Sequence, residues 1–274
     1  MPAPAIDSRS RTGPDRPRVS VVVPFYDRQR HLAECVEALL AQDLDAPVEI
    51  ILVDNGSPDV SAAVAARERG VILLLERTPG AYAARNAGIR RAAAPVVAFT
   101  DADCVPDRDW LRSVCDGMQD ARVAILVGHC RYPARASPAL HVLGAYENAK
   151  AEYVLGRLPR AHHFAYANNM AVRASVFEEV GLFAEWDRAA DSELVHRLAA
   201  RRPDLGIAYR SSMRVTHQEF LRLRDRLRRL SLYTSTNARI ATFSELTARQ
   251  RAAVVLRVLL GRGRSGREDR GDPV

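Results

Sequence analysis

The sequence predicts an α/β fold, a mostly parallel central sheet flanked by helices. Three observations point to it. Short β-branched apolar runs alternate with segments whose apolar residues recur at helical spacing, the pattern of parallel strands joined by crossover helices. Polar, turn-forming clusters follow the strands directly, and in open parallel sheets ligands bind at the carboxyl ends of strands. Composition leaves room for a sizeable core: of 274 residues, 47% are hydrophobic and 27% charged, with 15 Gly and 15 Pro. Such values exclude collagen-like, disulfide-scaffold and wholly disordered chains.

The first expected strand is RVSVVVP, residues 18–24, followed by a loop to residue 30. A helix over 31–42 then places Leu32, Cys35, Val36, Leu39 and Leu40 on one face. The run VEIILV at 48–53 is a second buried strand, ended by Asp54, Asn55, Gly56, Ser57 and Pro58. A helix over 60–69, a strand over 71–75 and a helix over 81–93 follow. The strand 96–100 runs straight into Asp101. Polar clusters at 24–27, 54–57 and 101–103 are therefore expected to converge on one crevice. From about 125 to 217 strand and helix mix with a looser pattern. Residues 220–261 read as an arginine-rich helical extension to a main domain over 18–219. The tails 1–17 and 262–274 are polar and expected to be disordered.

No apolar run approaches the ~20 residues of a membrane span. The first eighteen residues lack the apolar middle of a secretory signal. Cys35, Cys104, Cys115 and Cys130 show no metal-binding spacing, which fits reduced thiols in a cytoplasmic protein. A net charge of +7 suits acidic partners: phosphates, nucleic acid or an anionic membrane. Only Lys150 is a lysine; every other cation is arginine. With 6% aromatics, stacking platforms for nucleic acid are scarce, so no nucleic-acid partner is expected. Leu221, Leu227, Leu230 and Tyr233, interspersed with Arg222, Arg224, Arg226, Arg228 and Arg229, suit either peripheral contact with an anionic membrane or packing on the main domain with a solvated basic face.

No GxGxxG pattern follows an expected strand, the one match being GRGRSG at 261–266 at the edge of the polar tail, and no GxxxxGK[ST] pattern is present, which disfavours a dinucleotide site or a P-loop. Asp101-Ala102-Asp103 follows a strand, and in an extended segment residues i and i+2 project to the same side. Two carboxylates so placed repel unless a cation lies between them, and hard divalent ions bind through carboxylates plus substrate phosphates. A metal held against a diphosphate is the expected chemistry.

Over residues 18–217 the chain resembles the family 2 glycosyltransferases of the GT-A, or nucleotide-diphospho-sugar transferase, fold. The matching segments are VSVVVPFYDRQRHLAECVEALLAQ, VEIILVDNGSPD, GAYAARNAGIRRAAAPVVAFTDADCVPDRDWL, NNMAVRASVFEEVGLF and DSELVHRL. The resemblance implies an inverting, metal-dependent transfer of a sugar from a nucleotide-sugar, most simply a UDP-sugar, to an acceptor hydroxyl in polysaccharide, glycolipid or glycoconjugate synthesis. It implies that Pro24, Phe25, Tyr26, Asp54, Arg85 and Asp101 bind the nucleotide, with Asn86 and Gly88 beside Arg85. Asp101, Asp103 and His217 would bind Mn²⁺ or Mg²⁺, the imidazole leaning towards Mn²⁺. Asn168, Asn169 and Met170, followed by Arg173, would line the sugar and acceptor pocket, and Asp191 would be the general base. Ala189 and Ala190 stand where the family usually has Gly and Glu, so the customary second carboxylate is missing.

Simpler roles remain open: Asp54 as a turn residue, Asp191 as a helix cap, His217 as a structural histidine, Asn168 to Met170 as a strand edge, and Cys104 as a thiol in the pocket wall. Two other functions compete at this level. A sugar-1-phosphate nucleotidyltransferase would share the α/β nucleotide site but needs a glycine-rich loop after the first strand that is absent here. A non-catalytic phosphate- or nucleic-acid-binding protein would account for the charge alone.

Overall fold

The computed structural model describes residues 16–27, 29–219, 221–224, 226–227, 240 and 245–259. The strands are β1 (Val19–Phe25), β2 (Val48–Asp54), β3 (Ile72–Leu75), β4 (Val96–Thr100), β5 (Cys104–Pro106), β6 (Val123–Arg131), β7 (Asn169–Arg173) and β8 (Gly206–His217). The helices are α1 (Gln29–Leu40), α2 (Ser61–Arg67), α3 (Ala81–Arg91), α4 (Trp110–Gly117), α5 (Pro138–Arg157), α6 (Ala174–Val180), α7 (Ala190–Arg201) and α8 (Ala248–Leu259). A short 3₁₀ turn occupies Arg160–His162.

One sheet has the order β3-β2-β1-β4-β7-β6-β8-β5. β3, β2, β1 and β4 are mutually parallel, β7 runs against β4 and β6, and β5 runs against β8. β6 and β8 are parallel. The order reverses between β2 and β4 on either side of β1, the switch point at which open sheets bind ligands. Register then fixes which residues meet at that edge: Phe25 lies beside Asp54, Thr100 beside Asn169, and Cys104 beside His217. The expected convergence of the clusters after β1, β2 and β4 is thus a consequence of strand order.

Period-2 alternation divides the core into two layers. Val21 and Val23 face a cluster with Leu32, Val36 and Leu39 of α1 and Trp110 of α4, while Val22 faces one with Ile89 of α3, Phe177 of α6 and Leu194 of α7. Trp110 is fully buried, and its indole N–H donates to Asn169 Oδ1 at 2.9 Å.

Three features differ from or add to the sequence-based expectation. The twenty residues of α5 form a long helix that no apolar stripe announces, because half of its buried positions are the small residues Gly144, Ala149 and Ala151. Within the stretch of looser pattern, His162 ends the 3₁₀ turn, and His163 is buried with Nε2 3.0 Å from the Leu158 carbonyl. Asp101 to Asp103 is a turn rather than extended chain, closed by the Cys104 N–H donating to the Asp101 carbonyl at 2.9 Å, so alternation does not aim the two carboxylates at one point.

Of the helical extension, Ala248–Leu259 is a helix on α5, with Val254 fully buried and the Arg257 guanidinium 5.5 Å above the Tyr153 ring. Arg228, Arg229, Leu230 and Tyr233, and all of both tails except residues 16 and 17, lie outside the described residues. Among the described residues no helix is long and apolar enough to cross a membrane.

Gly88 is where α3 touches β1: a Cβ there would stand 2.4 Å from Val22 Cγ1. Gly88→Ala should therefore cost about 1–3 kcal/mol by overpacking, a fall of a few degrees in Tm measured by thermal unfolding.

Candidate active site

The switch-point edge opens into a cavity of about 710 Å³ whose walls include Tyr82, Arg85, Asp101, Asn168, Asp191 and His217. Five of these are residues the sequence singled out, and they come from α3, the ends of β4 and β8, the turn before β7, and α7.

Arg85 is buried, with 5% of its surface exposed, and its Nη2 donates to Asp101 Oδ1 at 2.5 Å. Its guanidinium lies 5.0 Å above the Tyr82 ring. Burial works against its charge, but the charges of Asp101, Tyr82 and Asp191 more than offset this, and Arg85 is held above its ordinary range.

Asp191 sits in the first turn of α7 and is 6% exposed. Its Oδ2 accepts the Ala167 N–H at 2.9 Å and its Oδ1 the Ser192 N–H at 2.8 Å. Burial pushes its carboxyl above the usual aspartate range, and the opposing pull of those two amides, the Arg85 charge and the Tyr82 hydroxyl does not bring it back. Ala189, just before it, has φ 63°, a left-handed conformation that glycine adopts freely and an L-residue at a cost of about 1–2 kcal/mol. Ala190 is fully buried and is not among the residues that line the cavity.

Beyond the β4 turn, Asp103, Cys104 and His217 each offer one ligand atom, all within 4.8 Å of one another. His217 Nε2 is 3.8 Å from Asp103 Oδ1, and Cys104 Sγ is 3.7 Å from the same oxygen. A carboxylate with an imidazole fits a divalent ion of the Mn²⁺ type. Asp101 lies outside this group, drawn to Arg85. Burial, then the Asp103 and Asp101 charges, pushes the Cys104 thiol well up, so it is a poor nucleophile. All four cysteines are free.

The β1 and β2 loops form the outer end of the edge. Tyr26 is 60% exposed, the Asp27 N–H donates to Ser57 Oγ at 3.0 Å, and Asp54 Oδ1 accepts the Ser57 N–H at 2.8 Å. Asp54 thus serves the turn with one oxygen while standing at the strand end.

Several expected contacts are corrected by packing. Phe25 points into the core cluster that holds Leu32 and Val36, and Pro24 lies within β1 opposite Val53, so of these three residues only Tyr26 is exposed. Met170 is fully buried in the core between β4 and β6. Besides accepting from Trp110, Asn169 donates through Nδ2 to the carbonyls of His129 and Met213, so its amide holds strands together. Of that trio only Asn168 reaches the cavity. Arg173 is structural too, donating to the carbonyls of Met118, Asp120 and Val123. Asn86 exchanges hydrogen bonds with the backbone of Phe183, 3.0 Å to its carbonyl and 3.1 Å from its N–H, tying α3 to the segment that leads into α7.

Sequence reasoning missed Tyr82, although its place one turn before Arg85 puts both on one helix face. It also missed the opposite wall, where Arg226 donates to the Tyr132 hydroxyl and to Glu147 Oε1, both at 2.9 Å. Arg226 is therefore turned inward, in keeping with the packing alternative for this residue.

The Asp191 environment is testable without substrate. Carboxyl ¹³C NMR should show Asp191 titrating above the ordinary aspartate range, and Tyr82→Phe, which removes a donor to the charged form, should move the midpoint further up.

Residues 20–181, more than half of the chain, match the family model described as Glycosyl transferase family 2. Glycosyltransferase AglE of Haloferax volcanii is 29% identical over 175 residues, 61% of this chain and 56% of that protein. The undecaprenyl-phosphate 4-deoxy-4-formamido-L-arabinose transferase of Sodalis glossinidius is 35% identical over 158 residues, 53% of this chain and 48% of that one. The chain spans about half the length of these two curated relatives. Among solved structures, the mannosyltransferase PcManGT of Pyrobaculum calidifontis, in complex with GDP-Man and Mn²⁺, superposes with TM-score 0.60 at 22% identity, covering 94% of this chain and 72% of that one. Glucosyl-3-phosphoglycerate synthase of Mycobacterium tuberculosis, holding Mn²⁺, UDP and glucosyl-3-phosphoglycerate, gives TM-score 0.59 at 17% identity, covering 84% and 81%. These likenesses place the GT-A fold beneath the crevice just described, and the chain belongs to glycosyltransferase family 2.

Proposed function

We propose that this glycosyltransferase moves a sugar from a UDP-sugar to an acceptor hydroxyl by a single displacement with inversion. The observation that carries it is the buried Asp191 carboxylate in the wall of the same cavity as Asp101, Arg85 and His217. Tyr26 and Asp54 at the outer end would hold the nucleoside. Arg85 would hold a phosphate oxygen or base carbonyl. Asp103 and His217, with Asp101 beside them, would bind a divalent ion, as the Mn²⁺ in both solved relatives suggests. When bound, that ion offsets the charge of the departing diphosphate.

The chain's own contribution centres on Asp191. Its two oxygens are fixed by the Ala167 and Ser192 amides, so the carboxylate needs no reorganisation as the reaction proceeds. The acceptor oxygen bonds to the anomeric carbon, its proton passes to Asp191, and the bond from that carbon to the diphosphate oxygen breaks, releasing the nucleoside diphosphate. A raised pKa brings the base closer to working pH, which strengthens proton abstraction. We infer a cytoplasmic setting, where four free thiols stay reduced.

UDP with Mn²⁺ at ~100 times its Kd should add about 2.7 kcal/mol of stability, a few degrees of Tm, and a chelator should abolish the shift. Asp191→Asn should keep that shift while kcat falls by ~10²–10⁴. Asp103→Asn should lose the metal-dependent part of both. The acid limb of kcat/KM should have its midpoint above the ordinary aspartate range, because Asp191 must be ionised to act. Full activity in Asp191→Asn would remove it as the base, and a larger shift with another nucleoside diphosphate would reassign Tyr26, Asp54 and Arg85.

A further inference from the structure

The cavity has two ends of opposite electrical character. Its inner end carries Asp101 and Asp191 around Arg85, with Asp103 close by, an excess of carboxylates suited to a cation. The opposite wall is built by α5 and the segments after β8, and there Lys150, Arg226 and Arg251 face Glu147 and Glu245. Both carboxylates of that wall are already engaged: Glu147 Oε1 accepts from Arg226, and Glu245 Oε2 lies 3.2 Å from Arg251 Nη2. Among the described residues of that wall, one cation is left over.

That cation is Lys150. Its Nζ lies 4.9 Å from the centre of the Phe164 ring, and among the described residues it has no ion pair. Phe164 belongs with Ala151 and Val154 to a small apolar cluster against which Leu246 packs, and Lys150 lines the cavity with its ammonium against that cluster. Burial pulls Lys150 below its ordinary range, Arg251 adds to the pull, and Glu147 and Glu245 oppose it without restoring it. These three are the charged groups that bear on it. A compact, partly desolvated ammonium with three donors is suited to a phosphate or carboxylate as a point charge, whereas an arginine fork would be drawn to the neighbouring carboxylates.

Resting on the sugar-transfer assignment above, we propose that Lys150 of α5, with Arg251 of α8 beside it, is the subsite for an anionic group, a phosphate or carboxylate, carried by the acceptor. The C-terminal helix is then part of acceptor recognition, and the substrate is an anionic hydroxyl compound rather than a neutral sugar alone.

Because the chain has a single lysine, labelling lysine with ¹³C at Cε gives one NMR resonance that reports on this position. Titration of the full chain with inorganic phosphate and with acetate, at constant ionic strength, should shift that resonance saturably with at least one of them. Lys150→Gln should weaken phosphate binding, measured by calorimetry, about tenfold, the loss of one charge-assisted hydrogen bond, and leave the UDP–Mg²⁺ thermal shift unchanged. Vesicles containing phosphatidic acid separate the sources: sedimentation that Lys150→Gln abolishes identifies a lipid headgroup, and none identifies a soluble acceptor. A resonance that responds to neither anion, or only to UDP with Mg²⁺, overturns the proposal even if Lys150→Gln fails to fold, since the wild-type titration stands alone. Failure of the donor assignment is seen separately, as the absence of any shift in Tm with nucleoside diphosphates.

Discussion

The ion pair between Arg85 and Asp101 is the contact on which the rest of the site depends. It joins the middle of α3 to the end of β4, across the point where strand order reverses, with the arginine buried and a third of the Asp101 side chain exposed. Removing Asp101 would take from the buried guanidinium its hydrogen-bonded partner and leave Asp191 as the other carboxylate that bears on it. The arginine also lies above Tyr82 and lends its charge to Asp191. One guanidinium thereby couples the expected nucleotide contact, the aromatic wall and the expected base.

Around that pair the chain uses polar side chains as structural ties in places where a ligand contact was expected. Asn86, Asn169 and Arg173 each satisfy backbone groups that burial would otherwise leave unpaired, which costs about 1–3 kcal/mol per group. The Asn86 tie fixes the segment entering α7 to the helix that carries Arg85. Charge is sorted across the cavity, carboxylates towards the β4 turn and a surplus cation towards α5, so the site has a polarity that no net charge of the whole chain conveys.

Much of this was legible in the sequence, for reasons that are local. Asp101 stands at the end of a five-residue apolar strand, so its position at the sheet edge followed from strand length alone. The first four strands were legible in the alternation of runs, but their order across the sheet was not. Finer geometry was not local. Whether Asp101 and Asp103 share a direction depended on one backbone hydrogen bond, from Cys104 to Asp101. The resemblance implied that Phe25 and Met170 meet a ligand, but strand pleating turns each into the core. α5 lacks an apolar stripe because half of its buried positions are small residues, and the pairing of Arg226 with Glu147 joins residues that only the completed fold brings together.

The wall formed by Glu245, Leu246 and Arg251 is also the part of the cavity that ribosomes make last. Every strand of the sheet, both catalytic-edge turns and α7 precede it in the chain. A growing chain therefore passes through a stage in which the crevice at the switch point is complete while the cavity beside it stands open to water. The crevice at the switch point is laid down first, and the enclosure of the cavity beside it comes only when α8 docks on α5.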